Sequence, residues 1–346
     1  MKIEEVLERF SKGYAELGIT SLVDCGYPED IFEKEKIMEI MQRLLKEERV
    51  TQRCFSSACF LEEPKDFDRD MEALLDKCVK ERDSCTSDLF HSDFVKMLDD
   101  GTFESRNAAI YEPYQSDNLH VEPMLKQEEL ISFALLVASK GLDLHIHAIG
   151  DHAVHDALMA AKAVREAGYD DMRITTAHTE LVKPEDVPLF AKYNVTANTS
   201  SVWHYGDPES EADLGERGNQ IFRMMAIRRC GGRVTQSSDH PAAEYGNNPL
   251  SGVEVAYTRQ IVGTTDTPFL GNPDQSMPIM DTLRGYTIDA AYQVHMEDKL
   301  GSIEPGKYAD LVVLEESPYN VEPHHIHDIA VTMTIMDGKV VYQKDK

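Results

Sequence analysis

The sequence predicts an α/β protein: a TIM-like (β/α) barrel over residues 1–300, followed by a small C-terminal β piece over 301–346. Three observations predict it. Apolar, strand-like runs alternate with helical patterns at a spacing of roughly 30–45 residues, which calls for parallel βαβ units. The polar residues of chemical interest stand at the carboxyl ends of those runs, where a barrel gathers them on one face. Beyond the last such run the pattern changes to short strands, ending in a hairpin whose Asp337-Gly338 is the preferred two-residue turn.

Taken in order, Glu4 to Leu17 carries Val6, Leu7, Phe10, Tyr14 and Leu17 at helical spacing, with Gly18 at the C-terminal cap. Ile19 to Cys25 is the first short β run. Phe32 to Glu47 reads as a helix, Val50 to Phe60 as a strand and Asp66 to Arg82 as a helix. Phe94 to Leu98 reads as a strand that runs into the turn signal Asp99-Asp100-Gly101. Residues 102–122 form a long loop, a class more often functional than merely connecting. Lys126 to Lys140 is helical, Leu142 to Ile149 an apolar strand, and Ala153 to Val164 a helix, with Asp151 expected to cap it.

Arg173 to Ala177 is the next strand, and the helix Pro184 to Tyr193 leads to the strand Val195 to Asn198. A polar insertion over 200–219 and a helix around Ile221 to Arg229 precede the strand Arg233 to Ser237. That makes seven strands of the parallel pattern. A helix over Asp281 to Tyr292, the apolar run Ala309 to Leu314 and the hairpin Val331 to Tyr342 complete the chain.

Composition narrows the function. Sixty-two acids against 35 bases give a net charge of −27, which argues against nucleic-acid or anionic-membrane partners. No run approaches the ~18 apolar residues of a membrane span. The opening helix has no signal-peptide core, so cytoplasmic residence is expected. Six scattered cysteines without a Cys-x-x-Cys pair suit reduced thiols.

The densest chemistry lies in Leu144 to Ala153. His145 and His147 sit two apart, so on an extended strand both project to one face. Alone, the pair fits equally well a metal site at a barrel mouth or two histidines satisfied within a core strand. Lys96, His178 and Asp239, each at its own strand end, turn the balance toward a divalent metal held by imidazole and carboxylate, with Asp239 placed to take a proton from a water.

At these residues a resemblance becomes specific. HAIGDHA at 147–153, the strand-end His178 and SSDHP at 237–241 resemble the amidohydrolase superfamily, and within it the YtcJ-like (amidohydrolase type 3) family. LGITSLVDCG at 17–26, KMLDDGTFESRNAAIYEPY at 96–114, LGSIEPGKYADLVVLE at 300–315 and MDGKVVY at 336–342 resemble further family segments, in the family's order. The resemblance implies a metal-dependent hydrolase acting on an amide or other C–N bond of a small molecule, with a divalent metal such as zinc. It implies His147 and His178 as metal ligands, Asp239 as ligand and proton acceptor, and Lys96 at a position where many members carry a bridging, sometimes carboxylated, lysine. It further implies substrate contact from Trp203 and His204, and a role for His145 in orienting a ligand.

The sequence departs from the family at one point. The family's first barrel strand carries a His-x-His pair, and the residues upstream of Ile19 contain no histidine. Neither His145-x-His147, in its HAIGD context, nor His325-Ile326-His327, expected in a solvated loop, replaces it. The expectation is therefore an incomplete barrel, strands 2–8, with a remnant of the family's composite β-sandwich. Three explanations follow: a fragment of a longer enzyme, a truncated member that has lost hydrolysis and binds or assembles, or a site completed by a second chain. Unpaired sheet edges make a homo-oligomer one expected outcome.

Overall fold

The structure, a computed structural model, describes residues 2–26, 34–206, 212–242 and 247–345. A seven-stranded parallel sheet organises the chain: β1 (Ser21–Asp24), β2 (Arg53–Leu61), β3 (Phe90–Leu98), β4 (Asp143–Ala148), β5 (Ile174–His178), β6 (Val195–Thr199) and β7 (Arg233–Gln236). The strands lie in sequence order, each bonded to the next. A three-stranded antiparallel sheet follows, with β9 (Val331–Met336) between β8 (Leu311–Leu314) and β10 (Lys339–Gln343).

Helices cover the parallel sheet as its crossovers require: α1 (Ile3–Glu16), α2 (Lys34–Lys46), α3 (Met71–Cys85), α4 (Gln127–Ser139), α5 (Asp151–Glu166), α6 (Val187–Lys192), α7 (Met224–Arg229), α8 (Pro249–Thr258), α9 (Ile279–Tyr286) and α10 (Ile288–Gln293). Both faces of the central strands are covered: Val95, Met97, Leu144, Ile146, Ile174, Val195, Ala197 and Val234 are buried, and so are the polar residues that alternate with them, Lys96, His145, His147, Thr175, Thr196 and Asn198. Leu130, Phe133, Val137, Val154, Leu158 and Phe190 pack into the same core from the helices. Among the described residues no helix is long and apolar enough to cross a membrane, and all six cysteines are free thiols.

Several boundaries differ from expectation for local reasons. β3 begins four residues before Phe94, because Phe90 and Ser92 point into the core while His91 and Asp93 alternate outward. The helix expected over 281–292 is two helices, broken where Thr287 leaves helical geometry (φ −122°, ψ −98°) beside Gly301. Gly301 has φ +86°, and a Cβ there would lie 2.6 Å from Ile288 Cα. At α5 the N-cap is Gly150; Asp151 is the first helical residue and accepts a hydrogen bond from the Tyr111 backbone N–H (3.1 Å). Gly18, as expected, takes the left-handed turn after α1 (φ +82°).

Helix α8 was not expected, although Asn248 caps it and Pro249 stands in its first turn, both start signals. It carries the fully buried Glu254, and this corrects the expectation of a solvated His325-Ile326-His327. Ile326 is buried, and Glu254 accepts bonds from the His327 backbone N–H (3.0 Å), His327 Nδ1 (2.7 Å) and the Gly263 N–H (2.6 Å). Only His325 is exposed. Replacing Glu254 with Ala strands three donors, so a loss of about 3 kcal/mol in urea-unfolding stability is expected. A loss under about 1 kcal/mol would show that water replaces those bonds.

The antiparallel sheet is anchored to the body by two buried polar contacts. Thr334 Oγ1 donates to the Ala15 carbonyl of α1 (2.7 Å). Arg53, at the start of β2 and fully buried, pairs with Asp310 (3.3 Å) and lies over the Tyr308 ring (4.5 Å).

Candidate functional site

Strand register gathers the site. In the β3–β4 pair Lys96 lies opposite His145 and Leu98 opposite His147; in the β4–β5 pair Ala148 lies opposite His178. Consecutive parallel strands therefore bring Lys96, His147 and His178 to adjacent positions near their carboxyl ends. The His147 and His178 rings lie 4.5 Å apart, centroid to centroid. Both imidazoles are held neutral: burial pushes His147 down to about 3 and His178 well below the usual histidine range, with the Lys96 charge adding to both.

The two histidines differ in their bonding. His147 Nδ1 lies 3.0 Å from Asp100 Oδ1. Asp100 is fully committed as an acceptor, since it also receives the backbone N–H groups of Ile149 (3.0 Å), Gly150 (2.8 Å) and Ala109 (3.1 Å). Burial raises the Asp100 carboxyl to about 7, and those N–H groups oppose a larger rise. When Asp100 is ionised it accepts from its three backbone N–H partners and from His147, which places the His147 proton on Nδ1 and leaves a lone pair on Nε2. Among the described residues His178 Nδ1 is buried without a hydrogen-bond partner, and the ring stacks on Trp203 (5.7 Å, 18°). His178 holds a left-handed φ of 69° and Thr179 one of 52°, so strand β5 ends in a strained turn at the site.

Lys96 is buried, and burial lowers its pKa against the opposing charges of Cys25, Asp239 and Asp100. Asp239 follows β7 with φ 44°, exposed by surface area, and crowding raises its carboxyl while Lys96 opposes the rise. The charge of Lys96 acts on His147, His178 and Asp239 alike. Among the described residues no three His, Cys, Asp or Glu side chains stand close enough together to hold a metal ion.

Two expectations from the sequence are corrected. His204 is fully buried, bonded through Nε2 to Thr199 Oγ1 (2.8 Å) and stacked on Phe222 (4.3 Å), so packing rather than substrate contact accounts for it. His145 is buried one step deeper than His147, lining a small cavity with Phe94 and Thr175. It makes no hydrogen bond to either candidate ligand among the described residues. The side chain that does bond His147 is Asp100, in the turn Asp99-Asp100-Gly101. Asp100 stands 47 residues before His147, and no local pattern links the two.

The loop over 102–122 is anchored rather than free. Phe103, Ala108, Ala109, Ile110 and Tyr114 are buried, Ile110 bridges to Val121, and the Ala109 carbonyl accepts the His152 N–H (3.2 Å). It places Ala109 against Asp100, and hence supports His147 indirectly.

The family profile described as "Amidohydrolase family" matches residues 2–342. The chain belongs to the amidohydrolase family. Among its relatives, YtcJ of Bacillus subtilis (strain 168) is 26% identical over 254 residues, covering 72% of this chain and 47% of that protein. The N-substituted formamide deformylase of Arthrobacter pascens is 25% identical over 226 residues, covering 63% and 40%. The chain thus spans less than half the length of either relative. Among solved structures, an uncharacterized metal-dependent hydrolase from Pyrococcus horikoshii OT3 superposes with a TM-score of 0.73 at 21% identity, covering 94% of this chain and 62% of that one. That likeness speaks for the fold.

Proposed function

We propose that this amidohydrolase-family chain carries the barrel of a metal-dependent hydrolase of the YtcJ-like group, cleaving an amide or other C–N bond of a small molecule. One observation carries the reading. Two neutral imidazoles from adjacent strand ends face one another, the buried His147 bonded to Asp100 and the half-buried His178 with a buried ring nitrogen that has no partner among the described residues. A buried ring nitrogen without a hydrogen bond is costly in a purely structural role, and the donor set suits zinc. His147 and His178 would hold the ion with help from Lys96 and Asp239.

A divalent cation there supplies Lewis acidity toward a carbonyl oxygen and acidifies a water. The chain's own groups do the remaining work. Asp239, with its raised carboxyl at the open edge, accepts the proton of the attacking water and returns it to the leaving nitrogen. Lys96 is buried among Cys25, Asp100 and Asp239, where its charge steadies these acids; loss of its proton to burial is the condition for carboxylation. Trp203 forms a flat wall over His178, and the loop over 102–122 supplies substrate-facing surface.

In this reading the parallel sheet is a barrel without the family's first strand, residues 1–300, and 301–346 contribute to a composite sandwich. The open strand order from β1 to β7 supports it. A second reading, a family member that binds or assembles without hydrolysis, draws on the lack of a three-ligand cluster among the described residues.

Metal analysis with an assay on N-substituted formamides tests the proposal. It predicts about one equivalent of zinc-type metal and turnover that rises on zinc addition. Metal below about a tenth of an equivalent, with no turnover after zinc is added, would favour the second reading. Asp100→Asn is expected to weaken metal affinity or activity roughly 10–100-fold while leaving the fold intact. An unchanged affinity would remove Asp100 from the site.

A further inference from the structure

Arg259, the residue that caps the end of α8, is a buried guanidinium with no carboxylate partner among the described residues. It is 1% exposed, and burial lowers its pKa to about 10 with no neighbouring acid opposing the shift. Its acceptors are three main-chain carbonyls: Nε donates to that of Leu270 (3.3 Å), Nη1 to that of Phe222 (3.5 Å) and Nη2 to that of Ile221 (3.3 Å). A buried charge without a counter-ion is costly. A planar fork of donors is what lets one side chain satisfy three converging carbonyls at once.

The segment it clamps bears on the candidate metal site by two routes. Phe222 holds a left-handed φ of 58°, strained for a bulky residue, and Arg259 takes the carbonyls of both peptide groups that flank its Cα. In that geometry the Phe222 N–H reaches the carbonyl of Glu180 (2.6 Å), two residues beyond His178. The same stretch is tied to the end of β4, where the Thr179 N–H bonds the Ala148 carbonyl (3.1 Å) and the Leu181 N–H that of Ile149 (2.9 Å). The second route runs through rings. Phe222 stacks on His204 (4.3 Å, 29°), which bonds Thr199 through Nε2. Next to His204 is Trp203, the one tryptophan of the chain, whose ring lies against His178.

We infer that Arg259 is a positioning residue for His178. Its guanidinium fixes the Ile221–Phe222 turn, the turn holds the end of β5 and the Trp203–His204 pair, and these orient the imidazole. The inference rests on the hydrolase reading for what His178 binds. Arg259 itself touches neither metal nor substrate in this account.

Two readouts on the full chain test it: zinc affinity of the metal-stripped protein, and acrylamide quenching of Trp203 emission, both taken well below the onset of unfolding. Arg259→Met keeps a long buried side chain without the donors, and is expected to bind zinc about tenfold or more weakly than the wild type. The quenching constant of Trp203 should rise about twofold as the 203–204 pair loosens. Arg259→Lys, which retains the charge and part of the donor set, should recover most of each change. Arg53→Ala, which removes an equally buried guanidinium at the amino end of β2, should leave both readouts at their wild-type values. Should Arg259→Met fail to fold, Phe222→Leu carries the test, since it removes the ring stacked on His204 and is expected to raise the quenching constant. Wild-type zinc affinity and quenching in a folded Arg259→Met or Phe222→Leu chain would overturn the inference. Equal changes in Arg53→Ala would overturn it too, because they would trace the effect to general loosening. If the wild type binds no zinc, the hydrolase reading falls, and quenching alone decides whether Arg259 holds the Trp203–His178 stack.

Discussion

Arg53→Ala is expected to cost about 3–5 kcal/mol of stability in urea unfolding, the largest effect of any single change outside the site. The guanidinium is buried at the first residue of β2, where no water reaches it. Its partner Asp310 is nearly as buried, and among the described residues accepts otherwise only from the Asp337 backbone N–H (2.9 Å). Removing the arginine strands that carboxylate, empties the space over Tyr308 and loosens the three-stranded sheet from the barrel. The double change Arg53→Met with Asp310→Leu should recover most of the loss, because it removes both desolvated charges together. A single-variant loss under about 1 kcal/mol would show that the small sheet is held by its apolar contacts alone.

The second large effect concerns His178. His178→Asn is the informative variant, since asparagine tolerates the left-handed backbone (φ 69°) that most residues resist. It should keep the unfolding midpoint close to the wild type while lowering kcat/KM on an N-substituted formamide at least about a thousandfold, roughly 4 kcal/mol of transition-state stabilisation. A fall that comes only with loss of fold would say that the ring serves packing against Trp203 and His147. Activity kept within about tenfold of the wild type would place the chemistry elsewhere on the strand ends.

The parallel sheet was legible because each strand states its burial in residue type: Leu142 to Ile149 is apolar apart from Asp143, His145 and His147, and turn residues follow it. The strand-end places of His147, His178, Lys96 and Asp239 were legible for a related reason, these residues being polar where a covered strand meets its loop. What escaped depends on contacts distant in sequence. Asp100 reads as half of an Asp-Asp-Gly turn until the 147–150 backbone closes around it. His204 looks like a mouth residue until Thr199 and Phe222 enclose it.

Helix α8 and the break at Thr287 were missed for opposite reasons. The first had its start signals in Asn248-Pro249 but lacked a parallel strand before it; the second has an unbroken helical pattern, and the interruption comes from Gly301 packing against it.

The central claim is that His147 and His178 together hold a divalent cation at the end of β4 and β5. Zinc affinity, measured by competition with a chromophoric chelator on the metal-stripped chain, tests it most directly. The account predicts that the double variant His147→Gln, His178→Asn binds zinc at least about a hundredfold more weakly than the wild type, with both chains folded. Equal affinity in the two chains would contradict it.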